Sequence, residues 1–497
     1  MEEKNRKGIG LFALVAIIIS GAIGGGVFNL ANDLANGAAP GGVVVSWLFI
    51  GFGMLMLVLS FNRLITTKPA LSGVSDYARA GFGDFVGFLS GWGYWISAWT
   101  GTIGFSVLMM TSADYFFPGK FAEANGSLTV LSVIIVSIIS WILMFLVDRG
   151  IETAAVVNAI VLIAKLIPLV VFSITGIVLF KANVFTQHFW ETFTTNLAAD
   201  GSVREVIWHT MTGGALVGQI KTSLMVMVWV FVGIEGAAMM GNRAKKKSDT
   251  AKATIIGLSV LLVIYILLSL LPYGFMDQAT LANVKAPGLV YILNEMVGGW
   301  GGTLMAVGLI ISLLGAWLSW TMLPVEATQL LAEQKLLPRW FGKLNKFHSP
   351  SNSLLITQLM IQIFIIITYF VANAYNVFIY MATAVIMICY GLVGAYLLKL
   401  GIQEKSWSSI LIGFFTFAFQ ALALYLSGWQ YVWLAMILYT VGFILFVRAK
   451  RENGRKVTNR EWVAMGIVTL CALMALVFLI RGGHTGTALD LRGLLGF

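Results

Sequence analysis

What most constrains this chain is a succession of apolar runs, each about 20 residues or longer, joined by short polar or basic connections. A helix of about 20 mostly apolar residues spans the roughly 30 Å hydrocarbon layer of a bilayer. Thirteen runs fit that description, at approximately 9–35, 42–65, 85–117, 127–147, 153–180, 219–241, 253–276, 299–324, 353–373, 376–399, 407–427, 430–448 and 461–480. The composition agrees, with 59% hydrophobic and 11% charged residues against roughly 25% charged in ordinary soluble proteins. No single interior could hide so much apolar surface, so much of it must face lipid. A water-soluble enzyme is thereby excluded. The expected fold class is an all-α polytopic membrane protein of about 13 transmembrane helices.

The net charge of +10 reads as topology rather than as a nucleic-acid footprint, because cytoplasmic loops carry an excess of Lys and Arg. With the N-terminus inside and the spans alternating, most basic residues fall on the cytoplasmic side. They concentrate at Arg243, Lys245, Lys246, Lys247 and Lys252, at 335–346, and at 448–460. This orientation places the protein in the cell membrane. Thirteen spans put the C-terminus outside, although Arg481 and Arg492 pull the other way. The first run is too long for a signal-peptide core, lacks a small-residue cleavage site and reads as a retained span. The segment 181–218, with Trp190, Trp208 and His209, is expected to form short interfacial helices. Cys389 and Cys471 sit in apolar runs as packing residues, and no His or Cys spacing suggests a metal or cofactor.

Two runs are interrupted by glycine at matching positions. The first carries Ser20, Gly21, Gly24, Gly25 and Gly26 within 20–28, and the sixth carries Gly233 and Gly236 within 231–236. Helix interiors lose about 1 kcal/mol per Gly relative to Ala, so three consecutive glycines are poorly explained by helix packing alone. Gly-interrupted spans in corresponding places of two halves point to an inverted-repeat transporter. A weaker echo pairs Ser72-Gly73 and Gly81-Phe82-Gly83 after span two with Pro287-Gly288 and Gly299-Trp300-Gly301 after span seven. The resulting expectation is a five-plus-five core over 1–400, with repeats at about 9–180 and 219–400, and additional spans at 401–497.

A broken helix exposes backbone groups that a bilayer tolerates only where they line a cavity or hold a ligand. N–H donors at a half-helix N-terminus suit a carboxylate, whereas unwound carbonyls suit an ammonium. Paired breaks can therefore bind the common atoms of an amino acid, the α-carboxylate near Gly24, Gly25 and Gly26, and the α-ammonium near the carbonyls of Ala22, Trp229 and Val232, with Ile23 in the same unwound stretch. Glu235, an acid in an apolar run, is a gating or proton-coupling candidate, or else a neutral cap on the broken helix. Lys165, the basic residue in mid-span, either replaces a bound cation or serves as a strut to carbonyls of span one. Trp229 and Trp320 should flank the central cavity and can stack on a cationic side chain. Asp114 and Glu326 read as interfacial acids.

Taken in order, these residues resemble the amino acid, polyamine and organocation transporters, and within them the basic amino acid/polyamine antiporters. The carrying motifs are the glycine break followed by Val27-Phe28-Asn29-Leu30, residues 229–236 with the basic loop after them, and Trp320-Thr321-Met322-Leu323 through Pro338. Residues 80–88, Trp92-Gly93-Tyr94-Trp95 and Ala164-Lys165-Leu166-Ile167-Pro168 are similar to the arginine/ornithine exchangers. The resemblance implies sodium-independent exchange of an external cationic or nitrogen-rich amino acid for an internal amino acid or amine. It also implies that Trp229 separates the pocket from one side, that Tyr94 and Trp320 close over or stack on substrate, and that Lys165 stands where sodium-coupled relatives hold sodium. Thr102 departs from an expected asparagine in the substrate-facing part of span three, and Gly25 from a serine. A histidine/histamine type of exchange and proton-coupled uptake both remain open alternatives. No catalytic triad-like set and no pore-lining charge ring can be assembled. The expected partners are substrate and lipid, and a homodimer is compatible with the sequence but not required by it.

Overall fold

A computed structural model describes residues 10–71, 73–150, 155–197, 203–235 and 247–481. The predicted basic residues Arg243, Lys245 and Lys246, together with Ser72, Gly236 and Arg492, lie outside the described residues. In chain order the helices are α1 (Leu11–Ala22), α2 (Leu30–Ala35), α3 (Pro40–Thr67), α4 (Gly73–Phe82), α5 (Asp84–Asp114), α6 (Val130–Asp148), α7 (Ala155–Val178), α8 (Ala182–Gln187) and α9 (Gly213–Trp229). They continue as α10 (Lys247–Leu270), α11 (Gln278–Ala282), α12 (Gly288–Val297), α13 (Gly299–Glu333), α14 (Ser351–Ile367), α15 (Ala374–Gln403), α16 (Trp407–Ala423), α17 (Trp429–Glu452) and α18 (Asn459–Arg481).

Among the described residues nine helices are long and apolar enough to cross a membrane. The other four predicted spans have identifiable structures. The first is split into α1 and α2, the sixth ends as a helix at Trp229, and α14 is only 17 residues long. The third is α5, which has 31 residues, is rich in Gly, Ser and Thr, and is buried on nearly every face. Helices apolar all round belong in a core, and striped ones belong at its edge. The burial pattern follows that rule, since 78% of the apolar window of α15 is buried but only 28% of that of α6. On α6, Val130, Ile134, Ile138, Trp141, Ile142 and Phe145 are exposed at helical spacing, a stripe that must face hydrocarbon. Thus α5 and α15 form the centre, and α6, α16 and α18 the rim.

The connections after the second and seventh predicted spans are helices rather than loops. α4 ends at Gly83 (φ 91°, ψ −178°) before α5, and α12 ends at Gly298 (φ 86°, ψ −175°) before α13. Only glycine adopts that backbone without strain. Gly83, within the Gly81-Phe82-Gly83 group, and Gly298, one residue before the Gly299-Trp300-Gly301 group, thus take the same backbone conformation.

One expectation is corrected. The fold is mostly helical rather than all-α, because part of 181–218 forms a two-stranded antiparallel ribbon, β1 (Glu191–Leu197) with β2 (Val203–Thr210). The strands are dense in Thr, Phe, Val, Ile and Trp, the residues that fit a pleated surface. Trp208 stacks on His188 with ring centroids 3.7 Å apart, and the Phe189 carbonyl accepts the Gly41 N–H at 3.0 Å. The ribbon is thereby tied to the start of α3.

An ion cluster ties α17 and α18 to the core. Asp84 accepts from Arg79 at 2.9 Å and Arg455 at 3.0 Å and lies 3.5 Å from Lys450, which also pairs with Glu461 at 3.0 Å. Burial pushes the Asp84 carboxyl upward. The hydrogen bond from Arg79 and the charges of Arg79, Lys450 and Arg455 outweigh that effect and hold it below the usual carboxylate range.

Candidate functional site

The two glycine-rich breaks meet at the middle of the bundle. α1 persists to Ala22, and the 3₁₀ turn Gly26–Phe28 follows the break. α9 gives way to turns from Val230 to Glu235. They touch backbone to backbone: a Cβ on Gly233, whose φ is +106°, would lie 2.8 Å from the Gly21 carbonyl oxygen. This contact requires glycine twice over, by space and by torsion.

The first break is closed by a cation. Lys165 is fully buried on α7, and its Nζ donates to the carbonyls of Ser20 at 2.8 Å and Ile23 at 2.9 Å. The last carbonyls of α1 are the negative end of its dipole and lack helical partners. A buried ammonium in turn requires acceptors. Each satisfies the other, which is the strut geometry weighed for Lys165 from sequence.

An anion closes the second. Glu235 is 2% exposed, and its carboxylate accepts three hydrogen bonds. Tyr94 of α5 donates to Oε1 at 3.1 Å, while Tyr390 of α15 donates to Oε2 at 2.5 Å and the Gly233 N–H donates to Oε2 at 3.0 Å. The acid therefore fastens the break to both central helices.

Between the breaks and α5 stands an aromatic trio. Phe105, Trp229 and Trp320 have centroid separations of 6.3 Å (Phe105–Trp229), 5.4 Å (Phe105–Trp320) and 5.9 Å (Trp229–Trp320), all edge-on or tilted. Gly101 makes the room, since a Cβ there would come within 2.7 Å of Trp229 and 3.1 Å of Trp320. The trio and its neighbours roof the three glycines: Phe105 covers Gly24, Leu108 and Leu313 cover Gly25, and Trp229 covers Gly26.

Most sequence-derived residues are thus brought together, with qualifications. The Ala22 carbonyl accepts the Gly24 N–H at 2.8 Å and the Trp229 carbonyl accepts the Val232 N–H at 3.0 Å, leaving each oxygen a second lone pair. Tyr94 is engaged with Glu235. Thr102 bonds the Trp99 carbonyl of its own helix at 2.7 Å. Asp114 is a loop cap, accepting from the N–H groups of Gly119, Phe121 and Ala122. Glu326 is exposed. Sequence reasoning missed Phe105, Gly101, Tyr390 and Asp33. For Asp33 the signal was present, an acid inside the first apolar run. Among the described residues no group of three or more His, Cys, Asp or Glu could hold a metal.

The apolar rim, the broken helices and the buried charges at their crossing define a multi-pass helical membrane protein with a polar centre. The chain belongs to the amino acid permease family, whose profile matches residues 9–429, and it is accordingly a transporter rather than an enzyme. It is 83% identical, over the whole of both chains, to the arginine/ornithine antiporter ArcD2 of Lactococcus lactis subsp. cremoris (strain MG1363). It is 68% identical to the arginine/ornithine antiporter ArcD1 of the same strain, over 98% of this chain and 92% of that one. To an arginine/ornithine antiporter of Latilactobacillus sakei it is 45% identical, over 97% and 99%.

Proposed function

We propose that this chain is a sodium-independent antiporter of the cell membrane that exchanges external arginine for internal ornithine. The observation that carries the substrate pair is the full-length likeness to proteins bearing that description. Lys165 supports sodium independence, because its ammonium already occupies two carbonyls of the first break. In this reading the α-carboxylate binds at the N–H groups of Gly24, Gly25 and Gly26, and the α-ammonium at the carbonyls of Ala22, Trp229 and Val232. The roofing of the glycines by Phe105, Trp229, Leu108 and Leu313 corresponds to a closed state. Loading then requires the aromatic trio to part, and Glu235 with Tyr94 and Tyr390 serves as the latch.

The architecture that goes with this reading is a five-plus-five inverted repeat, 9–180 and 219–400, within 13 spans, with the N-terminus cytoplasmic and 401–497 as an appendage. The matched glycine corners at Gly83 and Gly298 support it. Counterflow in proteoliposomes is the test. Internal ornithine should accelerate labelled arginine uptake strongly, without sodium, and more than internal histamine or agmatine does. Uptake indifferent to any internal substrate but driven by a pH gradient would replace exchange with proton-coupled uptake.

A further inference from the structure

Asp33 lies beyond the first break, on α2, and nothing in the exchange scheme above uses it. Its Oδ1 accepts from Asn29 Nδ2 at 2.8 Å. Asn29 is itself fixed, since its Oδ1 accepts the Gly288 N–H at 3.0 Å, an arrangement that settles which end of the amide faces the acid. Oδ2 is different. It is shielded from solvent beside Asn376 without a hydrogen bond of good geometry, and Asn376 Oδ1 is likewise buried with no donor. Tyr375, next to Asn376 on α15, lies beside Trp229 and within electrostatic range of Asp33, so this pair of acceptors lies near the aromatic trio. Among the described residues no Lys, Arg or His forms an ion pair with Asp33.

Buried acceptors without donors are costly and uncommon. A cationic donor can satisfy a carboxylate oxygen and an amide oxygen together. A guanidinium offers five N–H groups and an alkylammonium three. The other buried charges near the breaks cannot meet that need, because Lys165 has the wrong sign and Glu235 already accepts from three donors. We infer that Asp33, oriented by Asn29 and flanked by Asn376, receives the positively charged end of the substrate side chain while the α-amino and α-carboxylate groups engage the breaks. The inference rests on the arginine/ornithine reading and supplies what that reading lacks, the residue that selects for charge. Truncating one partner of a buried hydrogen-bonded charge pair weakens binding by a large factor, whereas a neutral ligand of the same shape has no such pair to lose.

The experiment compares arginine with citrulline, which carries an uncharged ureido group in place of the guanidinium, in proteoliposomes preloaded with ornithine. Asp33→Asn is expected to raise the KM for arginine roughly tenfold or more and to leave inhibition by citrulline unchanged or stronger. Asp33→Glu should keep the preference for arginine at reduced affinity, and it decides the matter if Asp33→Asn fails to fold. Equal loss of both ligands, or no change in arginine KM, overturns the inference and leaves Asp33 a helix-end acid. A wild-type protein that exchanges no arginine for ornithine overturns the functional reading, and this inference with it.

Discussion

The two breaks solve the same problem with opposite charges. In the first, exposed carbonyls at the end of α1 are met by an ammonium reaching in from α7. In the second, an exposed N–H and two tyrosine hydroxyls are met by a carboxylate belonging to the break itself. A broken helix in hydrocarbon must have its free polar groups satisfied, and which charge does so depends on which end is exposed. The consequence is a division of labour. Lys165 couples the first break to a neighbouring helix, whereas Glu235 couples the second to the two helices at the centre of the bundle.

The sharpest way to break this comparison is to remove the borrowed cation. Lys165→Met leaves the Ser20 and Ile23 carbonyls buried without donors and should destabilise the protein by roughly 2–5 kcal/mol, at about 1–3 kcal/mol for each buried acceptor left unsatisfied. Thermal melting in detergent and exchange in proteoliposomes should both fall. Wild-type melting would mean that water or backbone rearrangement closes the first break instead.

Gly233→Ala attacks the crossing from the other side. It puts a methyl 2.8 Å from the Gly21 oxygen at a φ of +106°, and about 1–3 kcal/mol of strain is expected from the torsion alone. Exchange should be lost more completely than stability. Full activity would show that the breaks separate freely.

Glu235→Gln tests whether the second charge is more than a clasp. Gln keeps an acceptor for Tyr94 or Tyr390 and the shape of the side chain, so binding of arginine and thermal stability should change by no more than about 1 kcal/mol. The dependence of exchange on pH should flatten between acidic and neutral conditions. An unaltered pH profile would make Glu235 a fastening like Lys165 and erase the asymmetry.

The smallest effect concerns a region outside the breaks. Asp84→Asn loosens the ion cluster at α17 and α18, which is partly exposed, so a loss of about 1 kcal/mol or less is expected. Its folded carboxyl titrates below the ordinary value of 3.8. Its contribution is therefore fully present above that value and disappears only as pH falls through the lowered one. Wild type and variant should differ at neutral pH and converge in strong acid, a trend readable from melting curves.

Much of this was legible in the sequence, for definite reasons. Glycine is a poor helix former, so the interruptions at 20–28 and 231–236 stood out, and the helices stop at Ala22 and Trp229 accordingly. Charge is scarce, so Lys165 and Glu235 were conspicuous; Asp33 obeys the same rule and was passed over in a run read for its glycines. What escaped was what depends on distance along the chain. Nothing local to Tyr390 says that it will meet an acid 155 positions away, and nothing local to Gly21 names Gly233. The ribbon at 191–210 was missed because its strands are short and lie within a segment read as helical. The connections through α4 and α12 were read as loops because their glycines outweighed their apolar periodicity.

The contact of Gly21 with Gly233 has a mechanical consequence. Where helices cross through interlocked side chains, tilting one against the other must first pull knobs out of holes, and each costs dispersion energy. Two bare backbones present nothing to unlock. A swivel at that point is opposed by torsional stiffness, by the polar ties at Lys165 and Glu235 and by the packing of Trp229 over Gly26, but not by interlocked side chains at the contact itself. The two breaks thus meet at a contact free of side-chain interlock, with their polar fastenings placed to either side.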